Sequence, residues 1–201
     1  MDEVSLSPDE TLRLIEEQRK AVRHDLIPNP LFTYVPWGAA WFVGYLAFFL
    51  AYGVDSAGIS WQLALAILMG GQILAGSAMV YGTTRSSLRV KGHTSQRGAM
   101  YGIAWFVGMA VMGWVCSTFV IHLDQNLVGL LFSTCSLMIA AVLYMAGGAI
   151  WLDWTMFFVG TWMAVVVGIA AAVGQPYAYL LFAILVGGAF MGVGVIRRHR
   201  R

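Results

Sequence analysis

Side chains able to do acid–base work thin out early in this chain. No Glu follows Glu17, and the later acids are Asp25, Asp55, Asp124 and Asp153, none of them in the middle of an apolar run. Proton-coupled carriers and pumps place an ionisable group inside the membrane, so ion-coupled chemistry is disfavoured. HExxH, G-x-S-x-G, P-loop and paired intramembrane Asp patterns are all missing from the sequence, which leaves an enzymatic reading without residues. No cofactor is expected. His122 with Asp124 reads as a solvated rim pair rather than a metal site, because a metal would need further ligands.

What remains is weaker polar chemistry. Gln62, Gln72 and Ser77 in one apolar run, Ser133 and Thr134 in another and Thr161 in a third could line a narrow polar path. Such groups more often bond across helices or back to their own helix carbonyls. Cys116 and Cys135 lie at similar depths on consecutive runs. They are expected as free thiols acting as small hydrophobes rather than as a disulfide.

The cations carry the strongest signal. All twelve Lys and Arg residues fall in three clusters: Arg13, Arg19, Lys20 and Arg23; Arg85, Arg89, Lys91 and Arg97; Arg197, Arg198, Arg200 and Arg201. Excess Lys and Arg in short flanking segments marks the cytoplasmic face. The clusters therefore belong on one side, with an even number of spans between them. They serve topology, so no basic groove remains for nucleic acid. The loop set, Arg85, Arg89, Lys91 and Arg97, is also the candidate contact for a partner or for anionic lipid headgroups.

The elements that must hold these residues follow from composition. Of 201 residues, 59% are hydrophobic and 11% charged, with a mean hydropathy of +0.73; a soluble domain has about 25% charged residues. Six apolar runs at 35–53, 60–81, 99–121, 127–147, 155–173 and 178–196 each approach the roughly 20 residues needed to cross a core of about 30 Å. The chain therefore divides into a cytoplasmic N-terminal segment with a Pro-containing linker (1–34), a six-helix transmembrane domain (35–196) and a basic cytoplasmic tail (197–201). Both termini face the cytoplasm of an inner-membrane protein. No basic start followed by a short apolar core occurs in residues 1–26, so the first span is expected to direct insertion.

Residues 7–26 predict an amphipathic cytoplasmic helix. Ser7, Pro8 and Glu10 fit a capping box, and Leu12, Ile15, Val22 and Leu26 make a thin apolar stripe. Asp153 is expected to cap the fifth span. Ala40–Gly44 (AWFVG) recurs at Ala104–Gly108, and Ile67–Gly71 is echoed at Ile184–Gly188. These echoes predict three tandem helical hairpins. Aromatics concentrate in the odd spans and small residues in the even ones, which predicts even helices at the centre and odd helices outside.

Three tandem hairpins with a Gly-rich run, Leu185-Val186-Gly187-Gly188-Ala189-Phe190-Met191-Gly192, resemble the plan of the HdeD-like acid-resistance membrane proteins. Pro28-Asn29-Pro30 followed by Tyr34-Val35-Pro36-Trp37-Gly38 is similar to small bacterial inner-membrane proteins loosely labelled transporters. The first likeness implies an all-α, six-span hairpin fold; neither brings catalytic residues. The leading expectation is a protein of transport type, passing a neutral or weakly polar solute passively or driven by a partner such as an ATPase. The alternative is a non-transporting scaffold, stress-response or accessory subunit. The partners expected are the lipid bilayer and either a second copy or a membrane protein.

Overall fold

The computed structural model describes residues 7, 9–14, 30–54, 58–87 and 93–199. Six helices make up most of it: α1 (Val35–Gly53), α2 (Trp61–Ser87), α3 (His93–Phe119), α4 (Gln125–Trp151), α5 (Trp154–Val173) and α6 (Tyr177–His199). Each is long and apolar enough to cross a membrane, because a backbone in lipid must satisfy its own hydrogen bonds. The described residues contain no strand. This is a multi-pass helical membrane protein.

Local chemistry sets several helix ends. Pro36 occupies the first turn of α1, where its missing N–H is no loss. Leu152 adopts φ 53° after α4, and the Asp153 amide donates to Gly148 O at 2.8 Å, closing a tight turn. The Asp153 carboxylate then accepts from the amides of Thr155 (2.9 Å) and Met156 (3.2 Å), the expected cap of α5. Near the N-terminus, residues 9–14 are helical. Ser7 Oγ accepts from the Glu10 amide at 3.2 Å, and Glu10 accepts from the Ser7 amide at 3.0 Å. These bonds form the reciprocal capping box. Leu12 and Leu14 of this helix are exposed, while Ile15, Val22 and Leu26 of the expected stripe lie outside the described residues.

The packing is uneven. Within the apolar window of each helix, 44% of α1 is buried, 39% of α6, 33% of α5 and 22% of α4, against 17% of α2 and 6% of α3. The expected parity rule is therefore overturned: an odd helix, α1, is central, and an even helix, α2, is at the edge. The reason is that α1 combines both chemistries. Its small residues let neighbouring backbones approach: a Cβ on Gly38 would sit 2.7 Å from Gly187 O, and one on Gly44 would collide with Leu68. Its aromatic rings meanwhile pack inward, Trp41 on Phe190 (4.7 Å), Tyr45 on Phe182 (5.2 Å) and Phe48 on Tyr179 (5.2 Å). Edge-on, tilted and stacked ring pairs of this kind add to the dispersion that drives helix association in lipid.

α1 packs along α2 on one side and α6 on the other, α4 packs along α5, and α3 touches α4 lightly. The Gly71–Ala75 pair on α2 works as a packing face, with Gly71 against Ala40 and Ala75 buried. α5 and α6 are tied by the Trp162 indole, which donates to Leu185 O at 2.8 Å. In α6, a wider π-helical turn over Phe182–Gly187 presents Gly187 to the Phe42 amide, where a Cβ would lie 2.6 Å away. Of these pairings, α1–α2, α3–α4 and α5–α6 fall within the three expected hairpins, while α1–α6 and α4–α5 run between them, so contact alone does not divide the chain into such units.

Candidate functional site

The sequence singled out six side chains for a polar path, and the structure disperses them. Gln62 is exposed on the first turn of α2, and Gln72 is half-buried further along it. Ser77, also on α2, is exposed and donates to its own helix at Ile73 O, 2.8 Å. Thr161 does the same on α5, to Phe157 O at 3.0 Å. Back-bonding of this kind satisfies a hydroxyl in lipid without a cross-helix partner. The extensive contacts of α2 are with α1, so its three residues do not join the others.

Ser133 and Thr134, on α4, stand apart from that group. Ser133 is buried, and with Ser136 it faces the buried Tyr45 phenol on α1. Thr134 Oγ1 is buried without a hydrogen-bond partner, at a cost of about 1–3 kcal/mol for an unsatisfied group. Near the end of the bundle that holds the α5–α6 turn, Tyr179 takes a bond from Gln175 Nε2 at 2.9 Å and stacks beside Phe48 and Tyr52. Gly129 makes the room, since a Cβ there would lie 2.8 Å from the Tyr179 hydroxyl oxygen. Aromatic rings fill the interior between these polar points.

The opposite end carries an ion pair. Arg197, in the last turns of α6, donates from one nitrogen to both Asp153 oxygens at 2.9 and 2.8 Å. Its other terminal nitrogen reaches the Tyr34 hydroxyl at 3.3 Å, and the guanidinium carbon lies 5.8 Å from the Tyr34 ring centroid. Asp153 thus caps α5 and anchors α6 at once, and Tyr34 brings in the start of α1. The start of α1 and the end of α6 therefore share one end of the bundle. Both charged side chains keep about a third of their surface, 32% and 27%, so the pair is worth on the order of 1 kcal/mol. The capping role of Asp153 follows from the sequence. Its partners, 44 residues away in the case of Arg197 and then a further helix start, have no local signature.

Of the loop cations, Arg97 is exposed on the first turns of α3, while the Arg85 side chain and all of Arg89 and Lys91 lie outside the described residues. Cys116 and Cys135 are free thiols that face each other across the α3–α4 seam. No group of three potential metal ligands occurs among the described residues. At the N-terminal capping box, hydrogen bonds from the Ser7 amide and hydroxyl hold the Glu10 carboxyl below the usual carboxylate range.

Glycines separate used faces from open ones. Those at positions 38, 44, 148, 160, 187 and 194 meet neighbouring atoms at once, whereas Gly98, Gly102 and Gly113 on α3 and Gly188 and Gly192 on α6 have nothing within 4 Å of an added Cβ. The Gly188–Gly192 pair, a GxxxG face in the sequence, is thus not packed against by any of the described residues at Cβ distance. Comparison with protein-family models, with curated proteins and with solved structures finds no match.

Proposed function

We propose that this chain is a cytoplasmic-membrane subunit that acts by assembling with other transmembrane helices, either another membrane protein or a second copy, rather than by passing a solute. The observation that carries the reading is the contrast between a ring-filled interior and open glycine faces on α3 and α6. In lipid, helices associate where small residues let backbones approach. A face of that kind left empty within the chain suits a helix from outside it. The orientation adopted is both termini inside, as the three cation clusters require. The N-terminal helix and the loop cations Arg85, Arg89, Lys91 and Arg97 then face cytoplasmic partners or headgroups.

Transport of a small neutral solute is the second reading. Ser133, Ser136, the unpartnered Thr134 hydroxyl and Tyr45 favour it as a polar point between α1 and α4. Flux in proteoliposomes separates the two. Under the assembly reading, glycerol, urea and small amides cross no faster than in protein-free vesicles. Facilitated flux that Ser133→Leu abolishes would overturn it in favour of transport.

A further inference from the structure

Outside the interior, a concave feature lies on the seam where α3 meets α4. An apolar groove of about 480 Å³ opens there, lined by Val107, Gly108, Val111 and Cys116 from α3 and by Cys135 and Met138 from α4. A second hollow of about 260 Å³ shares Gly108 and Met138 and extends to Ala104 and Leu143. Gly108 lies at its edge: a Cβ there would meet Ile139 at 3.4 Å, an ordinary contact distance, so a larger side chain would enter the groove. Toward Arg97 the two helices are held together by the Tyr101 hydroxyl, which donates to Leu143 O at 2.7 Å. Tyr101 also packs edge-on against Trp151 at 4.8 Å.

Length, apolarity and charge point to the occupant. From Ala104 to Cys116 is twelve residues, roughly 18 Å at 1.5 Å per residue, close to the ~15 Å depth of one leaflet. The groove is apolar along that length, which suits one extended hydrocarbon chain. Arg97 stands seven residues before Ala104 and eleven before Gly108. At about 100° per residue, that puts it on the groove-facing flank of α3, above the groove's end. Gly102 and Gly113 lie about 140–160° round the helix from Arg97, on the other flank, so the groove and that glycine pair are separate surfaces.

We infer that the α3–α4 seam is a binding site for an anionic phospholipid of the cytoplasmic leaflet. One acyl chain lies in the groove over Gly108, and the phosphate lies at Arg97. Lipid headgroups are held in this way by basic side chains beside transmembrane helices at the cytoplasmic side. The leaflet follows from the positive-inside orientation. The site does not depend on the assembly reading, because a chain that never assembles retains the same seam.

The test uses the full chain, extracted in mild detergent from bilayers of equal phosphatidylglycerol and phosphatidylethanolamine, with bound lipid counted by native mass spectrometry. Wild-type protein should retain one phosphatidylglycerol per chain. Gly108→Leu, which fills the groove, should lose it, while Gly113→Leu on the other flank should not. Arg97→Gln should keep a lipid but lose about fivefold in preference for the anionic one. Equal retention in wild type and Gly108→Leu would overturn the site, and so would equal loss in Gly113→Leu. If Gly108→Leu left lipid unchanged but converted a dimer to a monomer, the groove would belong to a second copy instead. Because Gly108→Leu could misfold, thiol labelling gives an independent reading on the wild type. Delipidation should speed reaction of Cys135 with an apolar maleimide, and added phosphatidylglycerol should slow it again. Labelling indifferent to lipid would count against the proposal.

Discussion

The α1–α6 and α3–α4 contacts are built from the same residue types and reach opposite results. Between α1 and α6, glycine meets backbone: Gly38 and Gly187 approach until neither has room for a methyl group, and Trp41 packs on Phe190 beside them. Between α3 and α4, the fit is looser. A Cβ on Gly108 would meet Ile139 at an ordinary 3.4 Å beside the groove, and the seam holds through the Tyr101 hydroxyl, for which Gly147 makes room, and the Trp105–Tyr144 ring pair. A glycine in a membrane helix thus has no fixed meaning until its neighbour is known. It is a close contact in one place and a looser fit in another.

The largest expected effect contrasts two adjacent glycines. Gly187→Leu drives a side chain into the α1 backbone, with its Cβ 2.6 Å from the Phe42 amide nitrogen. Overpacking of this kind costs typically 1–3 kcal/mol and more for a large side chain. No monodisperse folded protein should survive detergent extraction. Gly188→Leu, with nothing within 4 Å, should give a wild-type melting temperature when assayed alone. Equal behaviour of the pair would erase the distinction drawn here.

Next comes the ion pair that ties the tight region together. Asp153→Ala removes both the cap of α5 and the partner of Arg197, at a cost of about 1–2 kcal/mol. That corresponds to a fall of several degrees in melting temperature. Asp153→Asn keeps a capping oxygen and should cost less. Arg197→Gln should cost at least as much as the Asn variant, since it deletes the ion pair and the guanidinium contacts with Tyr34. Similar losses for Asp153→Ala and Asp153→Asn would place the whole effect in the charge.

Tyr101→Phe probes the loose region. Losing the bond to Leu143 O costs about 1 kcal/mol and frees α3 to move on α4. Cross-linking of Cys116 to Cys135 by a short bifunctional thiol reagent should slow, with global stability barely changed. An unchanged rate would mean that other contacts hold the seam.

The smallest effect concerns the N-terminal helix. The Glu10 carboxyl titrates below its unfolded value, so its contribution is present above the unfolded pKa and lost as the pH falls through the folded one. The Ser7 and Glu10 amide signals should shift together on acidification below the usual carboxylate range, with the membrane helices unaffected. Separate or absent shifts would rule out the reciprocal box.

Much of the architecture was legible in the sequence, because hydropathy and backbone satisfaction act locally. The six apolar runs became six helices, and Asp153 capped α5 as its position before Thr155 and Met156 implied. What failed was inference about which helices meet. Aromatic and small residues were sorted by parity, yet α1 carries Gly38, Ala40 and Gly44 among its rings and so became central. Gly71 with Ala75 and Gly188 with Gly192 look alike in sequence, but one pair packs and the other does not. The Arg197–Asp153–Tyr34 node and the groove over Gly108 arise from contacts between residues distant in the chain. Nothing within a span announces either.

The most direct test of an assembling subunit is photo-crosslinking in native membranes. A photoreactive side chain would be placed at Phe106, beside the Gly102 stripe of α3, at Val195, beside the Gly188 stripe of α6, and at Phe158 on the outer face of α5; all three positions are exposed. A protein band of fixed mass from Phe106 or Val195, with none from Phe158, is the predicted result. Lipid adducts alone at both glycine stripes would contradict it.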